Sequence, residues 1–452
     1  MGWRVSFARF RGTRQAEFRW ALAAVALLAL GLRFWHLAQP ECLVFDEVYY
    51  AQFAHNYLTG TPFFNVHPPL SQYLIAGGLW LSERLPIAQE LTVAIDGVAR
   101  PTFGLRFANA LAGSLVPLAA SGVAYQLTQR RGCALLAGLF LATDGLFLVE
   151  SRYALSNTYI VLFGLLAQWL GLRALRHGGC RWELALAGLC LGAAIATKWN
   201  GLGFVLGLVA FWGLARYLRW QQPGQLPELL QQWARLRPAA IAGYLGLVPL
   251  LTYSLLWTPH LAMNPQLGFG DVHARIWNYH QQVERGSQVH PYCSRWYSWP
   301  LMVRPVAYAY QKQEASVRAV HAMGNPVLWW ASTVTVAGLL PVALGRWGAR
   351  APASSAITLF LLAGYAANWL PWAAVGRCTF IYHYLEAYAL ALIALAWGLE
   401  RGWWSRQQVP RSASLAVLGL ALAAFAFWLP VHYGLPLSMP GYQERMWFSS
   451  WI

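Results

Sequence analysis

Charge is the scarcest property of this sequence. Charged residues make up 11% of its 452 residues and hydrophobic residues 58%, whereas about a quarter of an ordinary soluble domain is charged. A soluble globular domain is therefore excluded. The chain has no repeat of 20–50 residues and no low-complexity tract, which excludes solenoids and biased disordered segments. Its six cysteines lack the spacing of a metal site, and the pairing of Cys42, Cys293 and Cys378, all predicted outside, stays open.

Long apolar segments fill the chain instead. Runs of about twenty such residues recur from end to end, as in a polytopic membrane protein. The stretch 70–82 has thirteen residues, too few to span comfortably, and is predicted to be an interfacial or re-entrant helix. A signal peptide at the start is less favoured, because no small-residue cleavage site follows the first apolar run. The sequence predicts an all-α membrane protein with about eleven transmembrane helices, near 20–38, 104–127, 133–149, 154–172, 183–197, 201–218, 238–258, 326–345, 355–373, 380–399 and 412–430.

The basic residues predict the orientation of these helices. With the amino terminus inside, nineteen of the 33 basic residues and four of the 17 acids fall on inner segments, as the positive-inside rule requires. The net charge of +16 is thereby explained without nucleic acid. We expect one domain over 1–452 in the inner (plasma) membrane, with a cytoplasmic amino terminus and an outer carboxyl terminus. Two large outer loops carry short interfacial helices, at about 39–103 and 259–325.

Charged residues near the membrane gather at the outer ends of the predicted helices. Such charges are expensive and usually mark a site, although a single one is often a snorkelling side chain or a local ion pair. Arginine and lysine at this level suit a lipid phosphate, and a shielded carboxylate suits a general base. Two adjacent acids, Asp46 and Glu47, lie in the aromatic segment "VFDEVYY". One is a candidate for the base, and the other is a candidate for positioning substrate or holding a local cation. The outer-end charges are Arg106, Asp144, Glu150, Arg152, Lys198, Arg377 and Glu386.

An ordered set of motifs resembles the protein O-mannosyltransferases, bacterial type, of the GT-C glycosyltransferase superfamily. The set covers most of the chain: "FDEVYYAQFAHNYLTGTPFFNVHPPLSQYLIA" (45–76), "LRFANALAGS" (105–114), "ATDGLFLVESRYALSNTYIVLF" (142–163), "ATKWNGL" (196–202), "HPYCSRWYSWPLMVRPVAYAY" (290–310), "GNPVLWW" (324–330) and "FIYHYLEAYAL" (380–390). The chain departs from the family at Asn157, where many members carry an acid. Its second outer loop is also too short for the soluble β-rich module of eukaryotic members.

The resemblance implies a reaction. A mannosyl residue would pass with inversion from a polyprenyl-phosphate-mannose donor to Ser or Thr hydroxyls of exported proteins at the outer face. Asp46 would activate the hydroxyl. The resemblance places Arg106 and Lys198 at the donor phosphate, with Arg152 and His383 as further candidates. Residues expected to line the substrate site are His67, Pro68, Asp144, His290, Tyr292, Trp296 and Trp299.

Alternatives to this reading remain open. The aromatic residues of the second outer loop are as compatible with packing between helices as with lining a sugar site. Asp46, Glu47 and the outer histidines match no metal motif, so no metal or cofactor is expected to be required. A glycolipid or glycan acceptor is the main alternative to protein. A transporter or flippase is less favoured, because ionisable groups near the midplane are missing.

Overall fold

Long apolar helices form the body of the protein. The computed structural model describes residues 2–85, 91–222, 226–283, 289–313, 316–344, 353–403 and 408–452. Among these residues, eight helices are long and apolar enough to cross a membrane. A pair of helices that meet at a bend would make a ninth if the pair crosses as one span. Helices also occupy the two other predicted spans, 183–197 and 380–399, so each predicted span has a helix, although the count of eleven crossings stays a prediction. The helices of the body are α1 (Gly2–Phe34), α4 (Thr102–Thr128), α5 (Arg131–Thr143), α6 (Gly145–Arg152), α7 (Asn157–Arg176), α8 (Arg181–Thr197), α9 (Leu202–Gln221), α11 (Pro238–Ile241), α12 (Val248–Leu256), α15 (Pro326–Leu344), α16 (Ala353–Trp369), α17 (Leu385–Trp403) and α18 (Gln408–Tyr433).

The predicted span 133–149 is broken. Its two halves, α5 and α6, meet at an angle of 58°. Asp144 lies at the break in an extended conformation, and its Oδ1 accepts hydrogen bonds from the backbone N–H groups of Leu146 and Phe147. A side-chain cap of this kind satisfies the first free N–H groups of a new helix. The break thus starts α6 in a new direction, toward the outer loops.

Short helices and strands fold the loops against the body. The stretch 70–82 is a helix of the predicted length, largely buried against α4. The strands were not predicted: β1 and β2 form a hairpin, and β3, β4 and β5 form an antiparallel sheet in that order. The elements outside the long helices are α2 (Glu47–Thr59), α3 (Leu70–Ser82), α10 (Glu228–Arg235), α13 (Thr258–Met263), α14 (Phe269–Gln282), α19 (Met439–Gln443), β1 (Thr92–Ile95), β2 (Val98–Pro101), β3 (Val306–Gln313), β4 (Ser316–Ala322) and β5 (Leu437–Ser438).

A disulfide and a backbone hydrogen bond hold the second outer loop in place. Cys293 and Cys378 form a disulfide between this loop and the segment before α17. Beside it, the backbone N–H of Ser294 donates to the carbonyl oxygen of Thr379 at 2.7 Å. The loop therefore lies over the end of α16 and the start of α17, where the hydroxyl of Tyr382 also donates to Asp46 of the first loop.

Candidate functional site

The acid pair begins helix α2, and Asp46 keeps its carboxylate largely uncommitted. Its Oδ2 accepts one long hydrogen bond, 3.3 Å, from the hydroxyl of Tyr382. Burial raises the pKa of Asp46, while the nearby Lys198 ammonium and the Tyr382 hydrogen bond oppose the rise. Phe45, just before it, has a φ of +46° and stacks on Tyr308 with 4.7 Å between ring centroids. A bulky residue in this left-handed conformation is uncommon and is often found at functional sites.

Glu47 is fully committed to a structural role. It is 0% exposed, and its carboxylate oxygens accept bonds from the backbone N–H groups of Val44 and Ala154 at 3.0 Å. The same oxygens bind the guanidinium of Arg106 at 2.8 and 2.9 Å. A carboxylate with four such bonds has no lone pair directed at a substrate. These contacts do not support a direct catalytic role for Glu47, but they agree with the expectation that the second acid holds a local cation, here Arg106. Glu47 anchors the start of α2 and so places Asp46.

Arg106 was expected at the donor phosphate, and its contacts do not support this role. Besides Glu47, its guanidinium donates to the carbonyl oxygens of Leu37, Pro40 and Cys42 at 2.8–3.2 Å. All five of its N–H groups are thus used inside the protein, which is the full donor capacity of arginine. Arg106 instead ties helix α4 to the first outer loop.

Two more predicted residues hold the helices together. Arg152 donates to four carbonyl oxygens at the end of α1, among them those of Arg33 at 3.0 Å and His36 at 3.0 Å. Cations at a helix carboxyl end are favourable because of its partial negative charge. Asp144, the cap of α6, also accepts from Asn325 and Tyr388 at 2.8 and 2.7 Å. Neither side chain is available to substrate, so both expectations are corrected.

Lys198 lines an open cavity, and its role at the donor phosphate stays a prediction. It follows α8 in an extended conformation, before a tight 3-10 turn over Trp199–Gly201 that leads into α9. Its Nζ donates to Oδ1 of Asn157 at 3.0 Å. The same nitrogen lies 5.9 Å from the ring centroid of Tyr50 and 5.8 Å from that of Tyr382. Since Tyr382 also contacts Asp46, the lysine and the candidate base share one neighbour.

A cavity of about 840 Å³ opens beside Lys198. Its polar end holds Lys198 and Arg377, with His67, His280 and His383 around them. Burial lowers the pKa of His67 well below its usual range and that of His280 to about 4, so both imidazoles are neutral hydrogen-bonding groups. No carboxylate is found among the described residues that line this cavity. Its permanent charge is therefore positive, which suits an anion.

The other end of the cavity is apolar. Helix α9 contributes Leu202, Val205, Leu206 and Val209, and the segment after α16 contributes Pro371. Leu202 and Leu206 are 51% and 49% exposed, so this wall is open at the protein surface along a membrane-spanning helix. A charged end joined to an open apolar wall matches a phosphate group with a long hydrocarbon tail.

The remaining predicted residues divide into two groups. His67, Pro68 and His383 line the cavity, and His290 lies near Asp46, with its ring 5.9 Å from that of Phe45. The aromatic residues of the second loop serve as support. Trp299 is buried and stacks behind His383 at 6.1 Å, Trp296 packs on Trp369 at 5.1 Å, and Tyr292 lies 5.5 Å from the guanidinium of Arg304.

Three site residues were missed by sequence reasoning. Arg377 appeared only as one outer-end charge among seven, yet it shares the cavity with Lys198. Tyr382 carried no signal beyond its aromatic motif, and Asn157 was noted only as a departure from the resemblance. Within the described residues, no group of three or more His, Cys, Asp or Glu side chains is arranged to hold a metal ion.

This fold defines a class: a polytopic membrane protein with the GT-C architecture. The architecture matches the Saccharomyces cerevisiae protein O-mannosyltransferase Pmt1-Pmt2 complex bound to the sugar donor, with a TM-score of 0.80 at 16% identity, covering 96% of this chain and 93% of that one. An Archaeoglobus fulgidus oligosaccharyltransferase matches more distantly, with a TM-score of 0.55 at 15% identity over 95% of this chain and 57% of that one.

The sequence narrows the class to one family. The family model described as dolichyl-phosphate-mannose-protein mannosyltransferase matches residues 23–263, and that of the C-terminal four-helix region of protein O-mannosyltransferase matches 266–451. The chain belongs to this family and is a mannosyltransferase. It is 27% identical to the polyprenol-phosphate-mannose–protein mannosyltransferase of Mycolicibacterium smegmatis over 96% of this chain and 93% of that protein. It is 26% identical to that of Mycobacterium tuberculosis over 94% and 90%.

Proposed function

We propose that the enzyme transfers a mannosyl residue from a polyprenyl-phosphate-mannose donor to Ser or Thr hydroxyls of exported proteins. One observation carries the proposal: the carboxylate of Asp46, which accepts one long hydrogen bond, lies near Lys198, and Lys198 lines a cavity with a cationic end and an open apolar wall. The cationic end fits the donor phosphate and the wall fits its polyprenyl chain. Tyr382 contacts both Asp46 and Lys198, so the proposed base for the acceptor lies near the proposed cation for the donor.

Asp46 and the cavity together support an inverting displacement. The acceptor hydroxyl oxygen forms a bond to the anomeric carbon of mannose as its proton passes to the Asp46 carboxylate. The bond between that carbon and the phosphate oxygen breaks, and its electron pair leaves on the phosphate. Positive groups fixed where this charge develops stabilise the transition state. Lys198 and Arg377 are the cations at that end of the cavity.

The proposal includes no metal or cofactor. The donor phosphate is met by an ammonium and a guanidinium, and charge-assisted hydrogen bonds from such groups are about twice as strong as neutral ones. We expect the transfer rate to be unchanged after treatment with EDTA. A rate that falls with EDTA and returns with a divalent cation would contradict this part of the proposal.

The cysteine pair supports the outer face of the plasma membrane as the place of reaction. Cys293 and Cys378 are disulfide-bonded beside the donor cavity, and Arg377, a cavity residue, is the neighbour of Cys378. Disulfides persist in oxidising compartments and are rare in the cytosol. The donor cavity and Asp46 lie on the same side as this bond.

Reconstitution tests the proposal directly. The purified protein in liposomes is given polyprenyl-phosphate-mannose labelled in the sugar, with an extract of exported proteins and a glycolipid fraction. We expect label in protein, released by β-elimination as from O-linked Ser or Thr, and no label with Asp46→Asn. Label in lipid would establish the glycolipid alternative. Movement of the intact labelled donor between leaflets without transfer would indicate a flippase.

A further inference from the structure

A line of buried polar groups connects the second outer loop to Lys198. Tyr308, in strand β3, donates its hydroxyl hydrogen to Oε1 of Glu150. Oε2 of Glu150 accepts from Nδ2 of Asn157 at 2.9 Å, and Oδ1 of Asn157 accepts from Nζ of Lys198 at 3.0 Å. Glu150, Asn157 and Lys198 are only 1%, 4% and 7% exposed. None of the reaction steps above uses Glu150.

The direction of each bond is fixed by the chemistry at the two ends. A lysine ammonium only donates and an ionised carboxylate only accepts. The amide between them must turn its NH₂ group to Glu150 and its oxygen to Lys198. With Glu150 ionised, the amide couples this acid to the lysine through two hydrogen bonds, without a direct ion pair. This bond fixes one N–H of Lys198 on Asn157, and the lysine also lines the cavity.

This arrangement keeps Lys198 from pairing directly with Asp46, the proposed base. Lys198 lies close enough to Asp46 to oppose the effect of burial on that carboxyl, and a direct ion pair between them would occupy the base. Glu386, the other acid near Lys198, is bonded to Asn200 at 2.7 Å. Of the acids in the described structure, Glu150 is thus the one with a hydrogen-bonded path to the lysine.

We infer that Glu150 is a positioning residue for the donor site: through Asn157, it holds the Lys198 ammonium toward the donor phosphate and away from Asp46. This inference rests on the proposed function, in which Lys198 binds that phosphate. Strand β3 is irregular at the residue that contacts Glu150. The pairing of β3 with β4 shifts between Ala307 and Ala309, and such a bulge redirects the extra residue, here Tyr308, toward Glu150.

Transferring the acidic group from position 150 to position 157 tests the inference. Glu150→Gln keeps the shape and removes the charge, and we expect the KM for the donor to rise by about tenfold or more while kcat changes less. Asn157→Asp alone places two carboxylates in contact and is also expected to impair donor use. In the double variant Glu150→Gln/Asn157→Asp, one acid again faces Lys198, and the donor KM should return to within about threefold of wild type.

The double variant decides the outcome. If its loss equals the product of the two single losses, the positions act independently and the inference is wrong. Glu386→Gln/Asn157→Asp is the matched control, and it should show no rescue because Glu386 bonds to Asn200 instead. Asn157→Ala leaves both charges and removes the bridge, so a wild-type donor KM in this variant would overturn the inference even if Glu150→Gln fails to insert. Absence of transfer by the wild-type protein would instead reject the proposed function.

Discussion

At the scale of single residues, the two acids that open α2 have opposite environments. Asp46 has one long hydrogen bond, whereas both oxygens of Glu47 are occupied. Asp46→Asn keeps size and hydrogen bonding but cannot accept a proton. We expect kcat to fall by about 10²–10⁴-fold with donor binding retained, because general-base assistance has this magnitude. Single-turnover kinetics and donor binding on the same preparation measure both quantities.

Glu47→Gln provides the contrast to this prediction. Losing the charge leaves the Arg106 guanidinium buried without its partner, which typically costs about 3–5 kcal/mol. The expected result is a lower melting temperature and less inserted protein, with the remaining molecules still active. A stable Glu47→Gln enzyme with no transfer, beside an active Asp46→Asn enzyme, would exchange the two roles.

The pH dependence of the reaction reports on Asp46. The base works only when ionised, and burial raises its pKa, so kcat/KM should fall on the acid side at a pH above the usual range of aspartate, about 3.9. The Tyr382 hydrogen bond stabilises the ionised form. Tyr382→Phe therefore raises this pKa further and moves the acid limb to higher pH. Tyr388→Phe is the control, since that hydroxyl donates to Asp144 at 2.7 Å. An acid limb unmoved by Tyr382→Phe, or moved equally by both variants, would contradict the assignment.

Substitutions of Arg377 and Arg106 should have different effects, the first on donor binding and the second on stability. Arg377 lines the cavity, whereas every N–H of Arg106 is bonded inside the protein. Arg377→Ala should weaken a charge-assisted phosphate contact worth about 1.5–3 kcal/mol and raise the donor KM at near-normal stability. Arg106→Ala should instead lower stability. Donor titrations and thermal unfolding of both variants decide this, and the reverse pattern would restore Arg106 to the phosphate.

The difference between these two arginines shows where sequence reasoning ends. Motif and membrane position predicted Asp46, Lys198 and Arg106 alike as site residues. They could not tell an arginine paired with a buried acid from one lining a cavity, because both lie at outer helix ends. That distinction depends on the path of residues 37–47 across α4, which no local pattern encodes.

At the scale of elements, the turn between α8 and α9 determines where Lys198 lies. A Cβ on Gly201 would be 2.6 Å from the carbonyl carbon and oxygen of Ala194, so any side chain forces the turn outward. Gly201→Ala should therefore reduce donor use, seen as a raised donor KM. Gly171→Ala in α7 is the matched control, because nothing lies within 4 Å of its added Cβ. Equal donor KM values in both variants would show that the turn tolerates displacement.

The long apolar helices were predictable from the sequence, and the strands were not. Apolar runs of about twenty residues identified the long helices, and the short helix at 70–82 was recognised by the same hydropathy. The strands β1 and β2 have four residues each, too few for an alternating pattern to stand out in so apolar a chain. The longer strands β3 and β4, with eight and seven residues, were also missed. The break at Asp144 was also missed, since the apolar run continues through it and only the capping geometry reveals it.

At the scale of the whole molecule, contacts divide the loops between two sides. Arg130, between α4 and α5, pairs with Glu400 near the end of α17 at 2.7 Å, so these two segments share a side. The carboxyl-terminal segment joins the second large loop, because β5 pairs with β4 and the indole of Trp451 donates to the carbonyl oxygen of Met302 at 2.9 Å. These contacts establish the grouping, and the charge distribution predicts which group is cytoplasmic.

Topology reporters test this orientation. Reporters inserted at 128–132 and at 400–411 should be cytoplasmic, because these segments are basic, and reporters in 259–325 or at the carboxyl terminus should be outside. The disulfide between Cys293 and Cys378 gives an independent measurement: it should form in protein from oxidising compartments and be lost when export is blocked. A carboxyl terminus on the same side as 128–132 would break the grouping by contacts. A complete inversion would keep the grouping but place Asp46 and the donor cavity in the cytoplasm. Exported proteins could then not serve as acceptors after export, and the proposed reaction would need a different acceptor.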